Sequence, residues 1–191
     1  MSNVLIIPNF ISQDVCQAMN NWVYKGVANK WLDSGISRGS GWTYKDRLTT
    51  RAYGNRFEYP QIVYDVFAQI TEKLHLQDLP KSYAGGGRNG IVVSCTNFGG
   101  DVYEHKDPME GELHVLRCNI MTSKADEGAE LFIDGKKINI GVGDLHCYLP
   151  SNVPHYVTTA QGHTSRIMWM FGYQISIKQW QEKTDNFYVC Q

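Results

Sequence analysis

The rhythm of apolar positions changes at residue 90. Before that point they recur mostly at helical spacing. Val15, Met19, Trp22 and Val23 lie three and four apart, behind Ser12, whose hydroxyl suits a helix N-cap, and Asp14, an anion suited to a first turn. This spacing predicts an amphipathic helix over 13–25. Ile62, Val66, Ile70 and Leu74, with Pro60 near the start, predict a second helix over about 60–75. The β-branched run at 4–7 predicts a short strand that ends at Pro8-Asn9. Residues 33–56, rich in Gly, Ser, Arg and Tyr, read as loop with short strand pieces, and residues 83–90 read as a glycine-rich loop.

After residue 90 come short β-rich runs at 91–97, 102–106, 113–121, 130–133, 137–140, 145–149, 154–160 and 164–175. Turn signals separate them: Gly99-Gly100, Asp134-Gly135, Gly141 to Asp144, and Gln161-Gly162. Short strands with tight turns predict a mainly β fold, a closed or two-sheet antiparallel barrel, with the N-terminal helices packed on one sheet. The expected organisation is one domain over 1–191: a helical and loop part (1–90), a barrel core (91–175) and a C-terminal tail (176–191).

Composition narrows the function. Of 191 residues, 42% are hydrophobic and 19% charged, and the formal net charge is −1. That balance fits a globular domain and gives no global pull towards nucleic acid or a membrane surface. The five cysteines (Cys16, Cys95, Cys118, Cys147 and Cys190) form no CxxC pair and are odd in number, so reduced thiols in a cytoplasmic protein are expected. No signal peptide and no stretch of transmembrane length is read.

The chemistry lies in His105-Lys106-Asp107, in His155 fifty residues later, and in Arg166 beyond it. Residues i and i+2 of a strand share a face, so His105 and Asp107 can point at one interior metal while Lys106 points away. His155 supplies a third ligand. Two imidazoles and a carboxylate on one face of an octahedron leave open positions for a bidentate 2-oxo acid and O₂, which suits Fe(II). If a tight hairpin turns at Gly162, Val157 or Thr159 lies opposite Arg166, which then sits about 7–13 Å from the metal at about 3.3 Å per residue. Arg166 can then take the distal carboxylate of 2-oxoglutarate in a bidentate pair. Of the other histidines, His114 reads as exposed and His163 as a solvated turn residue, while His146, on the 145–149 run, is a further candidate for the pocket.

At these residues the chain resembles the Fe(II)/2-oxoglutarate-dependent dioxygenases, and most closely their compact prolyl-4-hydroxylase-like branch. The resemblance runs through Ile7-Pro8-Asn9-Phe10-Ile11-Ser12, Gly99 to Asp107, Gly128-Ala129-Glu130-Leu131-Phe132, Gly143-Asp144-Leu145 to Pro154-His155, and Gly162 to Trp169. It implies a double-stranded β-helix (jelly-roll, cupin-like) fold, with Fe(II), 2-oxoglutarate as co-substrate, and O₂. It also implies iron ligation by His105, Asp107 and His155, and 2-oxoglutarate binding by Arg166. The branch often carries a tyrosine about nine residues before the first ligand. Thr96 stands in that region here, and Phe98 has no hydroxyl, so Thr96 and Asn119 are the candidate replacement donors. In 116–121, Leu116, Cys118 and Ile120 alternate with Arg117, Asn119 and Met121. The second set faces either the pocket or solvent.

The implied reaction oxidises a substrate C–H bond as 2-oxoglutarate becomes succinate. Related halogenases have a small residue in place of the carboxylate ligand, so Asp107 favours hydroxylation. The basic and aromatic segment 33–56 suits a lid whose arginines hold a carboxylate. Arg117, Arg51, Arg47 and Tyr103 are the candidate substrate contacts. The expected substrate is a small molecule, a free amino acid or derivative among the candidates. The alternatives are a peptidyl (prolyl-type) hydroxylase and a non-catalytic cupin-like binding barrel. No basic, aromatic-flanked groove points to nucleic acid.

Overall fold

The computed structural model describes residues 4–28, 49–53, 58–82 and 90–189. Arg47, most of the 33–56 segment and the loop after residue 82 lie outside the described residues. The chain runs β1 (Leu5–Ile7), α1 (Gln13–Ala28), β2 (Thr49–Tyr53), α2 (Gln61–Lys73), β3 (Ile91–Thr96), β4 (Val102–His105) and β5 (His114–Ser123). It continues with β6 (Glu127–Gly128), β7 (Leu131–Ile133), β8 (Lys136–Lys137), β9 (Leu145–Tyr148), β10 (His155–Val157), β11 (Ala160–Gln161), β12 (Arg166–Ile175) and α3 (Ile177–Val189).

The strands form a six-stranded sheet of order β1-β9-β5-β12-β3-β2, a four-stranded sheet of order β4-β10-β7-β8, and the short pair β11-β6. From β3 onward the chain passes back and forth between the two larger sheets, which is the winding of a double-stranded β-helix. β1 and β2 extend the large sheet at both edges, so the N-terminal part gives strands to the barrel as well as helices.

Alternation along the large sheet sorts its two faces. Leu116, Cys118 and Ile120 of β5, and Ile167, Trp169, Phe171 and Tyr173 of β12, join the helical residues Met19, Val23, Val63, Val66 and Ile70 in one buried core. Trp22, Tyr59 and Trp169 meet there, with ring centroids 5.1–5.7 Å apart. Asn20 and Thr122 lock α1 to β5 with reciprocal hydrogen bonds of 2.8 and 2.6 Å. The opposite face carries Arg117, Asn119, Met121 and Arg166 into the barrel.

Two expectations fail. Residues 176–191 were expected to be a tail, yet 177–189 form α3, with Trp180 buried. Its start is a reciprocal cap: Gln179 N donates to Ser176 Oγ (3.2 Å) and Ser176 N to Gln179 Oε1 (3.0 Å). The hairpin through Gly162 is also absent. β10 pairs with β4 and β7, whereas β12 pairs with β3 and β5, so Arg166 lies opposite Thr96 rather than Val157 or Thr159. The reason is a long-range contact. Asp126 accepts hydrogen bonds from the backbone N–H groups of His163 (2.6 Å) and Thr164 (3.0 Å). Gly162, at φ +88°, leaves no room for a side chain, since a Cβ would stand 2.3 Å from Asp126 Oδ2. The segment is therefore a pinned crossover between sheets.

Candidate functional site

Two of the candidate metal donors come from one cross-strand pair: His105 and His155 are direct Cα partners on β4 and β10. Their rings lie 4.3 Å apart. β4 ends at His105, but the alternation carries on beyond it: Lys106 is exposed and Asp107 turns inward, held by its N–H to the Pro150 carbonyl (3.0 Å). Donor atoms of His105, Asp107 and His155 all lie within 4.8 Å of one another.

The tautomers suit a metal. His105 Nδ1 is 2.7 Å from the Tyr103 carbonyl, and His155 Nδ1 is 3.4 Å from the Val153 carbonyl. A carbonyl only accepts, so each Nδ1 carries a hydrogen; the His155 Nε2 then keeps its lone pair, while the His105 Nε2 is the atom that faces Asp107. Burial pushes His155 down to about 4, so it is neutral at pH 7. Burial alone would raise the Asp107 carboxyl. The hydrogen bond from His105 and the charge of Arg117 outweigh it and hold the group well below the usual carboxylate range. Asp107 Oδ1 faces His105 Nε2 (3.4 Å) and Oδ2 faces Arg117 Nη2 (3.5 Å). A carboxylate and two imidazoles are the donor set that hard-to-borderline divalent ions take.

Arg166 starts β12 and points into the barrel, 5% exposed. Burial lowers it to about 10, so it stays charged at pH 7. It makes no ion pair with a described carboxylate, and its Nε is buried without a partner. Arg117 Nη1, Asn119 Oδ1 and His146 Nδ1 are also buried and unpartnered. An uncompensated buried guanidinium is costly, and so are buried polar atoms without partners. A bound diacid would satisfy that kind of interior, so the residues fit the implied co-substrate as well as the metal.

The remaining predicted residues fall into three groups. Thr96 is buried as the Cα partner of Arg166, and Asn119 sits with its Nδ2 3.3 Å from His146 Nε2. Tyr103 is exposed on β4, and its carbonyl, not its ring, serves His105. Arg51 lies in β2 as the Cα partner of Ser94. Sequence reasoning missed Tyr148. It is buried on β9 beside Arg117, packs edge-on to His155 at 5.5 Å, and lies in the fields of Asp107, Arg117 and Arg166. Burial, then Asp107, raises its hydroxyl and keeps it protonated. The signal was present, because Tyr148 is two residues from His146 on the same strand face. His146 itself is fully buried, and burial followed by Arg166 pushes it down to about 3.

No protein-family model matches the chain, and no curated protein matches it in sequence. Solved structures do match it in fold. A Pseudomonas putida prolyl-4-hydroxylase superposes with TM-score 0.62 at 14% identity, covering 92% of this chain and 94% of that one. A Trichoplax adhaerens prolyl hydroxylase in complex with a hypoxia inducible factor peptide fragment gives 0.66 at 15%, with 93% and 86% covered. HygX from Streptomyces hygroscopicus, with nickel, 2-oxoglutarate and hygromycin B bound, gives 0.61 at 9%, with 92% and 84% covered. The chain therefore has the jelly-roll fold shared by these structures, over nearly its whole length.

Proposed function

We propose that this protein is an Fe(II)/2-oxoglutarate-dependent oxygenase that hydroxylates an unactivated C–H bond of a small molecule, a free amino acid or derivative being the leading class. The observations that carry the reading are a three-donor metal cluster and a buried guanidinium without a described counter-ion, with Tyr148 in the field of both Asp107 and Arg166. His105, Asp107 and His155 would hold the metal. Arg166 would bind the distal carboxylate of 2-oxoglutarate, with Thr96, Asn119 and the Tyr148 hydroxyl as its hydrogen-bonding neighbours. When bound, the metal and co-substrate supply oxidising power from O₂, and 2-oxoglutarate leaves as succinate and CO₂.

The chain's own residues do the rest. Arg117 keeps Asp107 ionised and oriented through Nη2, and its Nη1, buried without a partner, would take a substrate carboxylate. Tyr103, Arg51 and Arg47 are proposed as outer substrate contacts. The barrel wall excludes bulk water, which strengthens the charged contacts inside. Among the described residues the buried cysteines Cys16, Cys95, Cys118 and Cys147 form no disulfide, and we place the protein in a reducing cytoplasm on that ground. No described helix is long and apolar enough to cross a membrane.

A second reading, a peptidyl hydroxylase, is favoured by the peptide-bound neighbour of the same fold. Succinate release measured with free amino acids and with short proline-containing peptides separates the two. Turnover of amino acids supports the leading reading, and turnover of peptides alone replaces it. No iron- and 2-oxoglutarate-dependent O₂ uptake with any substrate, and indifference to His105→Ala, would leave a binding barrel.

A further inference from the structure

Arg166 has two sets of neighbours. Its charge acts on Tyr148 and His146. It also forms part of the wall of a cavity of about 250 Å³ that none of His105, Asp107 and His155 lines. That is room for about eight waters at about 30 Å³ each, and so for a five-carbon diacid. Met121, Leu131 and Ile140 give the cavity apolar walls, and Lys124 and Asn139 stand exposed at its rim. Lys137, also lining it, is neutralised by Glu130 at 2.5 Å, whereas Lys124 makes no ion pair with a described residue.

We propose that this cavity is a rear port, through which the dicarboxylate co-substrate reaches Arg166 and succinate departs without passing the metal. This inference rests on the co-substrate reading of Arg166. A dianion meets Lys124 at the rim, a wall in which apolar side chains alternate with the mutually paired Glu130 and Lys137, and the buried guanidinium of Arg166. Charge placed in that order draws an anion inward. The consequence is kinetic. Substrate held over the metal covers the front of the chamber, yet the co-substrate still exchanges from behind.

An obstruction on a path slows passage in both directions and leaves the end states alone, so it changes rates and not affinity. The test uses the charge-transfer absorption that a chelated 2-oxo acid gives on Fe(II), followed by anaerobic stopped-flow mixing of the Fe(II) protein with 2-oxoglutarate. Asn139→Trp and Lys124→Trp place bulk at two separate rim positions, and circular dichroism verifies that each variant is folded. Association and dissociation rates should fall together by about tenfold or more, with Kd kept within about twofold. Lys124→Glu should slow association and flatten its salt dependence. Unchanged rates in both folded tryptophan variants overturn the port. So does a weaker Kd caused by faster dissociation alone, because that marks a binding wall and not a path. A wild-type protein that gives no absorption with 2-oxoglutarate overturns the reading of Arg166 itself, a failure distinct from that of the port.

Discussion

The two large sheets of this barrel are built differently. The six-stranded sheet contains two ten-residue strands, β5 and β12, and is backed by the helices through the main apolar core. The four-stranded sheet has strands of four residues or fewer and a smaller core of its own. The buried cation belongs to the first sheet and the two histidine donors to the second. A thick, helix-backed sheet can carry the cost of an uncompensated buried Arg166. A thin sheet can adjust by the small movements that a metal asks of its ligands. The difference suggests a division between a rigid anchor and a metal-dependent wall.

The largest effect should come from the thin sheet's ligands. His155→Ala or Asp107→Ala should lower turnover by about a thousandfold or more while the protein stays folded. Mn(II) with 2-oxoglutarate, at about a hundred times Kd, should stabilise the wild type by about 2.7 kcal/mol. Hydrogen exchange should locate the added protection in β4 and β10, and equal protection across β5 and β12 would erase the contrast. The packing difference should show next. Trp169→Ala in the helix-backed core should cost about 3–5 kcal/mol in denaturant unfolding. Tyr156→Ala, which removes the Phe132–Tyr156 stack on the thin sheet, should cost only about 1 kcal/mol.

Arg166→Met should weaken 2-oxoglutarate binding about a hundredfold, about 3 kcal/mol, by calorimetry. It should not lower the stability of the ligand-free protein, because it removes a buried unpaired charge. A further effect concerns pH. His146 is held at about 3 against an ordinary 6.5, so its neutral form belongs to the folded state. Stability from this group is fully present above pH 6.5 and declines as pH falls towards 3. At pH 5 the loss for His146 alone is about 2 kcal/mol. His155 is lowered in the same direction, so both contribute to the acid limb of the ligand-free protein. His146→Gln should make the stability curve between pH 7 and pH 5 about half as steep.

Much of this arrangement was legible in the chain. Period-two alternation separated Arg117 and Asn119 from Leu116, Cys118 and Ile120. It also carried the His105/Asp107 pairing past the end of β4, where ladder hydrogen bonds stop but side-chain direction persists. What failed was long-range. A Gly162 turn reads as a hairpin because adjacency in sequence is the best local guess. Asp126, thirty-six residues before Gly162, helps to pin that segment as a crossover between sheets. The route by which Arg166 meets the chamber was therefore misjudged, though not the side it faces. α3 was missed although Ser176 and Gln179 have the spacing of a capping box, because the short polar stretch that follows hides the apolar side on which Trp180 is buried. Tyr148 lies one alternation beyond His146, and a tyrosine in an apolar run carries no signal of its own that separates a site residue from a core residue.

The most direct test is an anaerobic titration of the metal-free protein with Fe(II) and 2-oxoglutarate, followed by charge-transfer absorption. The account predicts a band that saturates at one iron and one 2-oxoglutarate per chain. His155→Ala should abolish it, and Arg166→Met should move it to about hundredfold higher 2-oxoglutarate. Absence of the band in the wild type, or its survival at wild-type affinity in Arg166→Met, would contradict the account.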